Sequence, residues 1–246
     1  MHEMKLKTRL YIRQAIIAGI AAALAHVSAF SEGYTHVPGA SADQKTLEAQ
    51  AQVEQLYEAG EYKRALIIYE RELAPIGDKY AQYMVGFMHH WGQSIDKDLP
   101  TALAWYRLAA ERNTPLIVEE RDRLFASMSD PDIDASNEIF VKLWRRLGDN
   151  RLILDLIRED MEILKEKTGS RIPGAGSGPI TIVYARDGEM GTVAFYERVR
   201  NRMALRMEYL NTNVEIVDIP LDGDRAVKEP LEQEVREEMA ALNMRQ

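Results

Sequence analysis

Hydrophobic and small side chains recur with helical spacing between residues 99 and 113. The recurring positions are Ala102, Trp105, Tyr106, Ala109 and Ala110, which fall at i, i+3, i+4, i+7 and i+8. Residues at these intervals lie on one face of an α-helix. Because small and large side chains alternate on this face, the pattern predicts that a second helix packs closely against it.

The segment before this helix carries a matching face. Ala81, Val85 and Gly86 recur with helical spacing and are small enough to let a partner helix approach. Gly92 and Pro100 bracket the stretch between the two segments, as expected for a turn. The two segments together predict one antiparallel helical hairpin.

This pattern resembles the Sel1-like repeat, a family of helical solenoids close to the tetratricopeptide repeats. The residues that match the family pattern are Ala81, Gly86, Gly92, Asp98, Ala102, Trp105, Tyr106, Ala109 and Ala110. The residues that depart from it are His89, Ser94, Thr101 and Asn113. The resemblance implies stacked hairpins. Asn113 tolerates a left-handed helix end, whereas Ser94 replaces a loop glycine and would be strained there.

A degenerate copy of the hairpin lies upstream. Ala65 and Tyr69 each precede their counterparts, Ala102 and Tyr106, by 37 residues, a period within the solenoid range. Terminal repeats are often degenerate because one of their faces caps the stack. We therefore expect a helical repeat domain at 43–168, with its clearest repeat at 77–113.

Helical spacing continues beyond the repeat but without its motif residues. Segments 114–129 and 134–147 predict a further antiparallel pair, and 149–167 predicts one amphipathic helix. The apolar residues expected to face one another across the pair are Leu116, Leu124 and Phe125 on one side and Ile139, Val141, Leu143 and Trp144 on the other.

The character of the chain changes after residue 168. Residues 169–179 are rich in glycine and proline and predict a linker. Residues 180–246 predict a small α+β segment: a β-hairpin of Ile180–Ala185 and Thr192–Phe195 around Asp187-Gly188, a helix, a strand at 214–221 and a C-terminal helix. The residues that mark this last helix are Leu231, Val235, Met239 and Leu242, with Pro230 in its first turn. In the alternatives, 180–185 and 214–219 are parallel strands of a β-α-β unit, and the C-terminal tail is disordered.

The predicted fold class is therefore mainly all-α, an antiparallel helix-hairpin solenoid with a small C-terminal α+β extension. The first 29 residues predict a signal peptide, because a basic cluster precedes the apolar run Ala15–Ala25. Cleavage is expected after Ala25 or Ala29, followed by a flexible segment at 30–42 and a periplasmic or secreted location. The run is too short for a stable transmembrane span. An ordinary N-terminal helix and an uncleaved anchor are the alternatives.

Composition narrows the function. The chain has 246 residues, 46% hydrophobic and 28% charged, with a net charge of −8. Cleavage after Ala29 removes four basic residues and one acidic residue, which makes the net charge −11. An acidic body argues against nucleic acid and anionic lipid as partners. The chain has no cysteine, which excludes disulfides, thiolate catalysis and cysteine zinc sites.

No residue set predicts a catalytic, cofactor or metal site. His89 and His90 are adjacent, so on a helix they point about 100° apart and do not form an i, i+4 ligand pair. The GAGSG stretch at 174–178 lacks the strand, helix and Lys-Ser/Thr of a phosphate-binding loop. We therefore expect a protein that is not an enzyme and that needs no cofactor; a hydrolase is the less favoured alternative.

Partner binding is expected on the concave face that stacked hairpins form from the first helix of each pair. The candidate contact residues there are Tyr80, Tyr83, Phe87 and His90. Their spacing places them on the side of the helix away from Ala81, Val85 and Gly86. They predict binding of a protein or peptide, as a scaffold or adaptor of the cell envelope. Aromatic rings also stack on sugars, so binding to peptidoglycan or another glycan of the cell wall is the alternative.

Overall fold

The computed structural model describes residues 43–169, 181–184, 188–213, 215–216 and 225–243. The predicted signal peptide (1–29), the predicted flexible segment (30–42) and the predicted linker beyond Gly169 lie outside the described residues. The α-helices are α1 (Gln44–Glu58), α2 (Tyr62–Ile68), α3 (Lys79–Trp91), α4 (Leu99–Ala109), α5 (Pro115–Ala126), α6 (Asp130–Leu147), α7 (Asp149–Gly169), α8 (Thr192–Thr212) and α9 (Arg225–Asn243). Shorter elements are a π-helical turn (Tyr69–Leu73), two 3₁₀ turns (Ala74–Ile76 and Ala110–Arg112) and the strands β1 (Thr181–Tyr184) and β2 (Gly188–Gly191).

Aspartate side chains cap the N-termini of three helices. Asp43, Asp78 and Asp98 precede α1, α3 and α4, and each accepts a hydrogen bond of 2.8 to 3.0 Å from a backbone N–H in the first turn. Such caps satisfy donors that have no partner within the helix. The caps therefore fix where each helix of the repeat starts.

Left-handed residues end the helices of the repeat. Gly92 follows α3 with φ 68°, and Asn113 follows the 3₁₀ turn after α4 with φ 54°. The expectation for Asn113 is thereby confirmed. Ser94 in the α3–α4 loop has φ 65°. This is the strained conformation expected where a serine replaces a loop glycine.

The predicted hairpin of α3 and α4 is confirmed, and the two helices approach closely at Gly86. We call the contact of Gly86 with Ala102 and Tyr106 the seam. A methyl group placed on Gly86 would lie 2.7 Å from Cδ1 of Tyr106 and 3.1 Å from the Ala102 carbonyl oxygen. Both Tyr106 and Ala102 are fully buried. The Tyr106 ring therefore occupies the space that any larger residue at position 86 would need.

The predicted pairing of 114–129 with 134–147 is partly wrong. Both segments are helices, but α6 packs mainly against the repeat helix α4 rather than against α5. Arg107 of α4 lies over the Phe140 ring, 4.1 Å from its centroid, and donates to Asn137 at 2.7 Å. The residues that α6 buries are Ser136, Phe140, Trp144 and Leu147, whereas Ile139, Val141 and Leu143 are only half-buried. The buried face of α6 is the one that packs against α4. Helical spacing alone does not show which helix will cover a given face.

The predicted hairpin after the linker exists with a different second strand. β1 pairs antiparallel with β2, with Thr181 opposite Gly191 and Tyr184 opposite Gly188. Thr192–Phe195, predicted as the second strand, begins α8 instead. Phe195 and Val199 are buried at helical spacing, so packing of α8 on α7 favours the helix.

The small α+β extension is not supported, because the described part of this region is mainly helical. Glu215 and Ile216 lie in no strand, and the rest of the predicted strand at 214–221 lies outside the described residues. The C-terminal helix is confirmed as α9, and all four marker residues are buried. Pro230 lies inside α9 rather than in its first turn, so that part of the prediction is wrong.

Candidate partner-binding surface

Helix α3 carries a row of aromatic side chains along its length. We call this row, Tyr80, Tyr83, Phe87 and Trp91, the α3 aromatic row. Its successive ring centroids lie 6.5, 6.1 and 6.1 Å apart. These distances allow the rings to pack against one another. The row is therefore continuous along the helix.

The two middle members of the row are buried, and its ends are more exposed. Tyr83 and Phe87 are 3% and 6% exposed, whereas Trp91 is 50% exposed and Tyr80 is half-buried. Tyr83 is covered because its ring stacks on Tyr106 of α4, with centroids 5.4 Å apart. Tyr83 and Phe87 thus do not offer the open contact surface predicted from the sequence. Partner binding by this region stays a prediction.

His90, the fourth predicted contact residue, supports the exposed end of the row. Its ring stacks on Trp91 at a centroid distance of 4.9 Å and an angle of 24°. Its Nδ1 lies 3.4 Å from the Tyr106 hydroxyl. Burial, with a smaller contribution from Lys97, lowers the pKa of His90 to about 4. His90 is therefore a neutral packing residue at physiological pH.

The adjacent histidine also packs inside the repeat. Burial lowers the pKa of His89, although Asp98 and Glu70 oppose the change. Its Nδ1 is buried without a hydrogen-bond partner in the described residues. The described part of the chain holds no group of three or more His, Cys, Asp or Glu residues arranged to bind a metal ion.

Burial and nearby carboxylates affect two tyrosines of the aromatic row. Burial raises the pKa of Tyr80, and Glu54 of α1 raises it further. Burial and then Glu120 of α5 have the same effect on Tyr83. Nearby negative charges and burial both disfavour the ionised form of a tyrosine, so both hydroxyls stay protonated at physiological pH.

A buried ionic network anchors the start of α3 and was missed in the sequence. Lys79 Nζ lies 2.5 Å from Glu111 Oε2 and 3.1 Å from Asp149 Oδ1. Arg112 donates to both oxygens of Asp149, at 2.7 and 2.9 Å. The network joins the start of α3, the end of the repeat and the start of α7. Its members lie far apart in sequence, so the only local signal is the position of Asp149 at a helix start.

The pKa values of the two carboxylates of the network shift in opposite directions. Burial raises the pKa of Glu111, and nearby Asp149 raises it further against the opposing effect of Lys79. Burial alone would raise the pKa of Asp149 too, but Lys79 and Arg112 together lower it. Asp149 therefore stays ionised and holds both cations between the repeat and α7.

The seam, caps and stacked helices define a helical-hairpin repeat protein. The Sel1 repeat family matches residues 79–114, so the chain contains one Sel1 repeat at the position of the clearest predicted repeat. No curated protein and no solved structure gives a significant match to the chain. Among the described helices, none has the length and apolar character needed to cross a membrane.

Proposed function

We propose that this protein binds another protein or a peptide at the exposed end of the α3 aromatic row, with Trp91 as an anchor. The observation that carries the proposal is the position of Trp91, which is half-exposed yet held by Phe87 and His90. Tryptophan is enriched among residues that dominate binding energy. A ring already fixed in place loses little entropy on binding.

The repeat supports this proposal. Sel1 repeats generally mediate interactions between proteins. In this repeat, the close contact between α3 and α4 is made by Gly86 and Tyr106 rather than by Trp91. A change at Trp91 should therefore leave this contact intact. The specific role that follows is that of a scaffold or adaptor without catalytic activity of its own.

The test compares two exposed residues on different helices. Trp91→Ala should abolish crosslinking of a specific partner in intact cells, whereas Leu205→Ala should not, because Leu205 is 56% exposed on α8. Crosslinked species are identified by mass spectrometry. Equal recovery of the same species by the wild-type chain and the Trp91→Ala variant contradicts the proposal.

Glycan binding is the second candidate, and the exposed Trp91 ring favours it, since aromatic faces also stack on sugars. It is tested by retention on purified peptidoglycan with the same two variants. Retention lost only with Trp91→Ala would assign the surface to a glycan. A hydrolase is less favoured, because His90 and Lys79, two titratable residues near the row, are used in packing and in the ionic network.

We also propose that the protein is exported to the periplasm or secreted after removal of a signal peptide. The basic cluster, the apolar run Ala15–Ala25 and the small residues before Ala25 and Ala29 support this. Intact mass of the protein recovered from the envelope fraction should match a chain that starts after one of these two alanines. A full-length species in the cytosol would contradict it.

A further inference from the structure

The C-terminal helix α9 packs against α6 and α7. The residues that it buries are Leu231, Val235, Met239 and Leu242. They recur at i, i+4, i+8 and i+11, so they form one apolar stripe along α9. The opposite side of α9 is exposed.

Carboxylates beside the stripe meet a row of arginines on α6 and α7. Arg145 Nη2 lies 2.6 Å from Glu234, and both Arg151 and Arg158 pair with Glu238. We call Arg145, Arg151 and Arg158 the arginine row. Burial alone would raise the pKa of Glu238, but the hydrogen bonds from Arg158 and Arg151 lower it. The surface under α9 is thus apolar with a cationic edge, and α9 is its acidic complement.

The ion pairs of this interface are more exposed than the neighbouring pair between α7 and α8. There, Arg206 and Asp160 form an ion pair in which both side chains are 2% exposed or less. The side chains that pair α9 with the arginine row are 30% to 51% exposed. Exposed ion pairs contribute little to stability because water screens them. Attachment of α9 therefore depends mainly on its four apolar residues.

An open pocket lies beside α9. It has a volume of about 220 Å³ and is lined by residues of α6, α7 and α9, among them Trp144 and Val235. Trp144 is buried, and its Nε1 has no hydrogen-bond partner in the described part of the chain. Most buried donors in protein interiors are paired, so the Trp144 Nε1 donor beside this pocket is an exception.

The arginine row does not depend on α9 for all its counter-charge. Arg158 lies 2.5 Å from Asp155 of its own helix, and Arg151 lies 3.6 Å from the same carboxylate. When α9 leaves, both arginines keep a nearby negative charge. Dissociation of α9 therefore does not leave these two arginines without a counter-charge.

From these contacts we infer that α9 is a displaceable segment covering a docking surface for an acidic amphipathic helix of a partner protein. The partner helix carries apolar residues at the spacing of Leu231, Val235 and Met239. It carries carboxylates at the positions of Glu234 and Glu238. It binds the arginine row and the apolar surface once α9 has opened. Because only open chains bind the partner, its apparent affinity is its affinity for the open chain multiplied by the fraction of chains that are open.

Opening of α9 is tested by hydrogen exchange on the full chain with two neighbouring substitutions. Glu238→Lys breaks both ion pairs and adds repulsion, so amides of α9 should exchange about tenfold faster or more, while those of α6 and α7 keep their rates. Glu237→Lys makes the same charge change on the exposed side, where Glu237 accepts a hydrogen bond from Gln233 of the same helix. It should leave the exchange of α9 unchanged.

Docking is tested with a fluorescent synthetic peptide of residues 225–243. It should bind the Glu238→Lys chain at least about tenfold more tightly than the wild-type or Glu237→Lys chain, because α9 competes less. If Glu238→Lys accelerates exchange throughout the protein, Glu238→Gln replaces it, since it removes the pairs without repulsion. Equal peptide affinity for all chains, no peptide binding to the opened chain, or α9 exchange at the rate of α6 and α7 in every chain overturns the inference.

Discussion

The close approach at Gly86 gives the sharpest test of the repeat seam. Gly86→Ala would place a methyl group 2.7 and 2.9 Å from two carbons of the Tyr106 ring. That ring has no room to withdraw, because Tyr106 is fully buried and stacks on Tyr83. The Ala102 carbonyl, 3.1 Å from the methyl position, belongs to the backbone of α4. Helices α3 and α4 must therefore separate to admit it.

Two effects of opposite sign set the magnitude. Overpacking a buried site typically costs about 1 to 3 kcal/mol, and the rigid surroundings of Gly86 favour the upper end. Alanine is better than glycine inside a helix by about 1 kcal/mol. We expect a net loss of about 2 kcal/mol in the free energy of unfolding. For a chain of this size, that lowers Tm by about 4 to 8 °C.

Urea unfolding followed by circular dichroism measures the loss. Ala51→Gly, at an exposed position of α1, provides the propensity term in the same chain. Tyr106→Leu combined with Gly86→Ala should cost less than the sum of the single changes by at least about 1 kcal/mol, because the ring is the obstacle. A Gly86→Ala chain as stable as the wild type, or strict additivity, would refute the proposed seam.

Three further predictions concern burial and charge. Trp105→Ala should lower the free energy of unfolding by about 3 to 5 kcal/mol, whereas exposed Trp91→Ala should change it by less than about 1 kcal/mol; equal losses in urea titrations would contradict the burial assignment. Asp149→Ala should cost about 3 to 5 kcal/mol, since it leaves Lys79 with one carboxylate fewer in a buried network, and a loss below 1 kcal/mol would show that the network is exposed to water. Because the folded pKa of His90 is about 4, the unfolded chain binds more protons between that value and about pH 6.5. Stability should therefore fall as pH is lowered through this window, and His90→Gln should reduce the dependence in thermal melts.

The candidate site was only partly predictable. Spacing placed Tyr80, Tyr83, Phe87 and His90 on the face of α3 away from the seam. The first three form one row with Trp91, but Tyr83 and His90 contact Tyr106 of the seam. Spacing does not tell whether such a face is covered. Tyr83 is covered because Tyr106 lies against it, and the exposed member of the row, Trp91, was not singled out in the sequence. Pattern identifies faces, but exposure depends on what neighbouring helices contribute.

Local sequence determined the elements whose causes are local. Gly92 and Asn113 indicated helix ends, and each depends on a single turn of the backbone. Tertiary structure decided the rest. The buried face of α6 is the one that packs on α4, and the buried face of α8 is the one that packs on α7. The network around Asp149 joins charged residues that are far apart in sequence. The physical reason is range: caps and turns act over a few residues, whereas burial and ion pairing depend on which distant segments meet.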